Sequence, residues 1–332
     1  IYEAIGQKEQ AAKYLQEMLE LNNGNAQNLM EYALDYAAAG LYLEASQLLE
    51  YAIGEETSPM VYYYLAFFAA KLNDATKATD LFSKAAKASS YLCFPNRLVD
   101  ISILQFAIAH NPSDAKAPYY LGNLWYDKRQ YSEAIACWEQ SIAVDKNFPT
   151  VHRNLGIAYF NKTQDRDRAI GEFELAFSLD KKDARVLMEL DQLYKRINRT
   201  PNDRLNFLER HLETVLQRDD VYLERLSLSN FSGDYTKAYD LLMKRKFHPW
   251  EGGEGRVSGQ YIFSLVEWAK QELLSGNYEL AIELLTKAQT YPHNLGEGKL
   301  YGAAENDIFY WMGIAHEKLG NSLEAKTKSS RI

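Results

Sequence analysis

Cysteine is nearly absent from this chain, with Cys93 and Cys137 the two in 332 residues. Two are too few for a disulfide framework and have no metal-ligand spacing. Both lie in apolar contexts and read as small core residues. Long apolar runs are absent as well: nothing approaches the ~18 residues expected of a membrane span. A basic excess is missing, since 37 Lys and Arg against 45 Asp and Glu leave a net charge of −8. Nucleic-acid phosphates reward a basic face, so no nucleic-acid partner is expected. No Gly-x-Ser-x-Gly elbow, phosphate loop, dinucleotide fingerprint or His-Glu-x-x-His zinc motif occurs. The histidines, His110, His152, His211, His248, His293 and His316, are scattered along the chain. The reading is therefore of a non-enzyme with no cofactor and no metal.

What the chain does have is a small residue that returns about every thirty-four positions. Ala11, Ala45 and Ala78 open the series, Ala134 and Ala169 continue it, and Ala238, Ala281 and Ala325 close it. Several share a context, as in Gly40-Leu-Tyr-Leu-Glu-Ala45, Gly233-Asp-Tyr-Thr-Lys-Ala238 and Gly276-Asn-Tyr-Glu-Leu-Ala281. Such a period excludes one compact enzyme core and implies stacked units. In the clearest unit, helical spacing of apolar residues predicts one helix over Tyr119–Tyr126 and a second over Ser132–Ala143. Gly122 and Ala134 are small where two antiparallel helices must approach, and Trp125 and Trp138 fill the space beside them.

This pattern resembles the tetratricopeptide repeat. The residues that carry the likeness are Leu121, Gly122, Trp125, Ala134, Trp138 and Ser141 in one unit and Leu155, Gly156, Tyr159, Ala169, Phe173 and Ala176 in the next. The resemblance implies an all-α right-handed superhelical solenoid of antiparallel helix pairs. Four stretches follow: amino-terminal units over 1–92, the first truncated; an irregular helical junction over 93–114; central units over 115–246; and carboxy-terminal units over 247–332 with two loop insertions. Residues 1–6 enter a repeat at its turn and 327–332 stop within a second helix. The chain is therefore expected to be a segment of a longer protein, so the missing leader says nothing of its compartment. A cytoplasmic setting is favoured, with the compartment and the oligomeric state left open.

The period breaks in three places. Ser89–Asn96 interrupts it, and Arg97–His110 then reads as a single helix. The other two breaks are His248-Pro-Trp-Glu-Gly-Gly-Glu-Gly255 and Tyr291-Pro-His-Asn-Leu-Gly-Glu-Gly-Lys299. Both follow a second helix and carry Gly-Glu-Gly, so they are expected to be spatial neighbours. They offer a candidate loop site: Trp250 as an anchoring surface, Glu251, Glu254 and Glu297 as acceptors, His248 and His293 nearby. Two long turns packed on each other, with Trp250 as a plug, is the plainer alternative. The loop histidines and glutamates lack a fixed metal-ligand spacing.

In tetratricopeptide arrays the first helices line the inner surface. Carried over by position, the inward residues are Lys116, Tyr119, Asn123, Tyr126 and Asp127; then Thr150, Arg153, Ile157 and Asn161; then Arg185, Gln192, Lys195 and Arg196. This aromatic and mildly basic stretch suits an extended acidic peptide, and Tyr119, Asn123, Tyr126, Arg153, Asn161, Arg185, Gln192, Lys195 and Arg196 are the expected contacts. Asn123 and Asn154 could equally brace neighbouring helices. In the earlier units Met30, Leu34, Ala37, Tyr63, Phe67 and Ala70 would make the groove apolar, a docking surface for a helix or a neighbouring domain.

Tyr91-Leu-Cys-Phe-Pro95, the two Gly-Glu-Gly loops, Glu305-Asn306, Asp183-Ala-Arg185 and Glu189–Lys195 resemble the carboxy-terminal repeat region of large bacterial proteins of unknown function, in which a β-rich, sugar-enzyme-like domain precedes the repeats. That resemblance implies an upstream domain of the same protein as a partner. Two functions follow: a non-catalytic scaffold binding a peptide or neighbouring domain, or an accessory module of a carbohydrate-processing protein whose loops contact a small-molecule or sugar ligand.

Overall fold

The computed structural model describes residues 2, 5–23 and 25–330. Part of the turn expected over 1–6 and the end of the expected last helix, at 331 and 332, lie outside them. The chain divides into two compact units, 1–179 and 180–332. The boundary falls inside the stretch 115–246 that the sequence groups together.

Unit 1 opens with α1 (Lys8–Asn22) and the pairs α2 (Ala26–Ala38) with α3 (Tyr42–Glu50) and α4 (Pro59–Lys71) with α5 (Ala75–Lys87). A single helix α6 (Leu98–His110) follows, then α7 (Lys116–Asp127) with α8 (Tyr131–Val144). The last pair is α9 (Pro149–Ala158), which runs into one π-helical turn over Tyr159–Thr163, with α10 (Arg166–Leu179). Unit 2 pairs α11 (Ala184–Arg196) with α12 (Pro201–Arg210), then after the one-turn α13 (Leu212–Val215) pairs α14 (Asp219–Phe231) with α15 (Tyr235–Lys244). The pairs α16 (Arg256–Leu274) with α17 (Tyr278–Lys287) and α18 (Asn306–Lys318) with α19 (Ser322–Ser329) complete it. Each unit is all-helical among the described residues and shows the stacked helix pairs of the helical-solenoid class.

The turn inside each pair carries one residue in the left-handed region: Gly40, Asn73, Arg129, Gln164, Asn198, Gly233, Gly276 and Gly320. A positive φ there reverses the chain within three or four residues, so the two helices run antiparallel. Where the residue is Gly the conformation carries no Cβ penalty. The close approach inferred for Gly122 is real: a Cβ on it would lie 2.5 Å from the Trp138 ring and 3.1 Å from the Ala134 carbonyl. Gly156 meets Phe173 in the same way.

The odd helix α6 is fastened by two neighbouring tyrosines of α4. Tyr64 donates to Asp100 at 2.5 Å, and the other oxygen of that buried carboxylate accepts the Asn96 and Arg97 N–H groups at the start of α6. Tyr63 donates to Asp114 at 2.7 Å, and Asp114 also accepts from the Lys116 N–H at the start of α7. Part of the groove expected to be apolar in the early units is closed, while Leu34, Ala37 and Ala70 stay half-exposed. Tyr63 and Met30 are buried, and the Phe67 ring is covered by Phe106 of α6 at 5.1 Å.

His152 ties α9 to α10. It is buried, and both ring nitrogens face acceptors: Nδ1 meets Glu172 at 2.6 Å and Nε2 the Lys146 carbonyl at 2.9 Å. Burial opposes its charge, but Glu172 and the Lys146 carbonyl outweigh burial and raise its pKa. A histidine that holds its proton more tightly when folded stabilises fully below its unfolded value, near 6.5, and loses that contribution as pH rises through the folded value. Thermal unfolding followed by circular dichroism should therefore show the advantage of the wild type over His152→Gln shrinking as pH rises above about 6.5. An advantage that stays constant or grows would contradict a charged His152.

Candidate functional site

Unit 1 brings the first set of expected groove residues together on α7 and α9. Trp138 Nε1 donates to Asn123 Oδ1 at 3.1 Å, and Asn154 Nδ2 donates to the same oxygen at 3.1 Å. An indole nitrogen is only ever a donor, so the orientation of the Asn123 amide is set by chemistry. Its half-buried Nδ2 faces the Tyr119 hydroxyl. Tyr126 is half-buried and packs on Trp138 and Tyr131, and Lys162 caps the Tyr131 ring at 4.0 Å. Asn161 is exposed in the π-helical turn after α9.

Tyr119 departs from expectation. It is 8% exposed, covered by Phe148 at a ring separation of 4.9 Å. The segment between α8 and α9 folds over it, so a residue at an inward register position becomes core. Burial pushes its hydroxyl pKa up.

Unit 2 treats its own set differently. Arg185 pairs with Glu189 one turn on at 3.1 Å, and Gln192 is half-buried. Arg196 is exposed at the end of α11. Lys195 donates to Glu224 at 3.1 Å and joins a buried ionic cluster that the sequence reading did not find. Arg204 of α12 is buried and reaches Asp191 of α11 through two nitrogens at 3.0 and 2.6 Å, and Glu224 of α14 at 2.7 Å. Burial raises the Asp191 pKa against the pull of Arg204, whereas at Glu224 burial is outweighed by Arg204 and Lys195 and the carboxyl is held low. The signal for this cluster was the period itself. The alanine series jumps from Ala169 to Ala238, and the position midway is Arg204. Lys195 is therefore half of an ion pair and a poor choice for probing a groove by charge reversal.

The two Gly-Glu-Gly loops of unit 2 do meet. Phe247 N–H donates to the Asn294 carbonyl at 2.8 Å, and Asn294 Nδ2 donates to the Leu242 and Arg245 carbonyls. Glu297 accepts the N–H groups of Gly255 at 2.8 Å and Ser258 at 2.6 Å. It thereby caps the N-terminus of α16, where a carboxylate suits both the orphan donors and the helix dipole. Trp250 is half-buried and lies flat against Gly253, where a Cβ would sit 2.2 Å from its ring. Glu251, Glu254 and His293 are exposed. His248, 75% exposed, faces Asp219, whose other oxygen is held by Arg245. An open cleft of ≈ 400 Å³ runs along His248, Trp250, Arg218 and Lys246. Glu297 is thus occupied in holding the loops together, whereas Trp250 packs on its own loop and lines the cleft. Among the described residues no three His, Cys, Asp or Glu side chains group as a metal site, and no helix is long and apolar enough to cross a membrane.

Among solved structures, the chain is similar to MamA at 23% identity over 55% of this chain and 95% of that one, with a TM-score of 0.28. It is similar to YrrB, described as a TPR protein with an unusual peptide-binding site, at 19% identity over 56% and 90% with a TM-score of 0.41. A third is TTC0263, a thermophilic TPR protein of Thermus thermophilus, at 19% identity over 61% and 98% with a TM-score of 0.34. In sequence, residues 122–162, from the middle of α7 through the turn after α9, match the family model of the TPR repeat.

Proposed function

We propose that this chain is a non-catalytic protein-interaction scaffold that binds an extended acidic peptide along α7 and α9 of unit 1. The observation that carries the proposal is the Asn123 amide. Trp138 and Asn154 fix its oxygen, so its N–H₂ group, which meets the Tyr119 hydroxyl, is held in one orientation and loses little freedom on binding. Lys162 supplies positive charge in the turn after α9, Arg153 lies on α9 itself, and Tyr126 of α7 supplies an aromatic wall. The TPR match spans these same residues. The carbohydrate-module reading gains no support from Glu297, which is engaged in capping α16.

The test is a fluorescence-anisotropy titration with labelled extended peptides rich in Asp and Glu. Asn123→Ala and Arg153→Glu should each weaken binding by about tenfold, a loss on the scale of one charge-assisted hydrogen bond. Raised salt should weaken the wild type as well. Affinity unchanged in both variants, or no binding by the wild type, would overturn the proposal.

A further inference from the structure

Unit 2 contains a groove that the sequence reading did not single out. It measures ≈ 420 Å³ and runs between α16 and α18, within the lower part of the size range of ligand pockets. Its walls are Leu273, Leu274, Trp311 and Ile314, with Lys270 and Lys318 on the rim. Measured back from the small residue of each pair, Lys270, Leu273 and Leu274 stand eleven, eight and seven positions before Ala281. Asn123, Tyr126 and Asp127 stand at the same distances before Ala134, and Ile314 and Lys318 repeat the first and last before Ala325. The register that presents Asn123 and Asp127 in unit 1 therefore presents Lys270 and Leu274, then Ile314 and Lys318, here.

The rim decides the charge of the occupant. Lys270 lies over the Trp311 ring at 5.2 Å and is neutralised by Glu267 at 2.5 Å. Lys318 is exposed and has no carboxylate partner among the described residues. Leu274 is 91% exposed, an apolar side chain held in water at the mouth of an apolar groove. We infer that this groove takes one aromatic or leucine-sized side chain of an acidic polypeptide segment, whose neighbouring carboxylate pairs with Lys318. The inference rests on the reading of the chain as a peptide scaffold and adds a second site with a different demand: an apolar anchor instead of an extended polar backbone.

The probe is the blocked pentapeptide Asp-Glu-Phe-Glu-Asp, added to full-length protein carrying 5-fluorotryptophan. Trp311→Phe assigns the Trp311 fluorine signal. The expected result is a saturable shift of that signal, lost with the Phe→Ala peptide. Affinity should fall at least tenfold in Leu274→Lys, a change at a solvent-facing position that leaves the fold intact, and several-fold in Lys318→Glu. A Trp311 signal that does not move, or affinity unchanged in Leu274→Lys, would overturn the inference. So would a signal that shifts with protein concentration alone, together with a dimer in sedimentation, because the occupant is then a second copy of the chain. Asn123→Ala and Arg153→Glu leave this shift unaltered, so failure of the unit 1 site and failure of this one read out separately.

Discussion

Arg204→Ala should destabilise unit 2 by about 3–5 kcal/mol, the usual cost of breaking a buried ion pair from one side. The guanidinium lies between Asp191 and Glu224, and all three side chains are buried. Removing it leaves Asp191 as an unpaired carboxylate in the core and leaves Glu224 with Lys195 alone. The double variant Asp191→Ala with Arg204→Ala removes both charges and puts small residues where other pairs bury Ala33 with Ala45 and Ala66 with Ala78. It should therefore be more stable than Arg204→Ala alone, with a coupling of the kind that double-mutant cycles detect. Urea unfolding followed by circular dichroism measures both. A wild-type midpoint for Arg204→Ala, or simple additivity of Asp191→Ala and Arg204→Ala, would show that the cluster does not hold α11, α12 and α14 together.

Gly122→Ala and Gly171→Ala, one substitution at two helical glycines, should move stability in opposite directions. At Gly122 the new methyl would lie 2.5 Å from the Trp138 ring. That ring is buried and its Nε1 is bonded to Asn123, so it yields only by giving up that hydrogen bond. Overpacking of this kind costs about 1–3 kcal/mol. Gly171 lies in α10 with nothing within 4 Å of the added carbon. Alanine there should stabilise by about 0.5–1 kcal/mol through helix propensity. Denaturation midpoints that rise for both variants would mean that α7 and α8 are not in close contact at Gly122. Gly122→Ala should also weaken acidic-peptide binding, because displacing Trp138 frees the Asn123 amide to rotate.

The helix pairs were legible because their cause is local and repeated. A small residue at each close approach and a turn residue five positions earlier recur along the chain, and the structure puts a left-handed residue in those turns. The unit built on Asn198 was harder to see. Its turn keeps the period, but Asp191 and Arg204 replace the small pair, and a search for small residues passes over a charge pair that fills the same space. Neighbouring loops could be read from their shared Gly-Glu-Gly, yet the two copies do different work. Glu297 caps a helix, whereas Glu254 faces solvent, and only the backbone path decides which carboxylate meets which N–H. Tyr119 was misread because register gives the direction of a side chain and not what the next segment lays over it. The groove of Trp311 and Ile314 went unnoticed because its residues, taken singly, look like ordinary helical apolar positions.

The measurement closest to the central claim is photo-cross-linking of a diazirine-bearing acidic peptide to the intact chain, with adduct sites mapped by mass spectrometry. The account predicts adducts on 116–127 and 149–163, competed away by unlabelled peptide and lost in Arg153→Glu. Adducts confined to the loops at 247–255 and 291–300, or spread over the surface and indifferent to competitor, would contradict it.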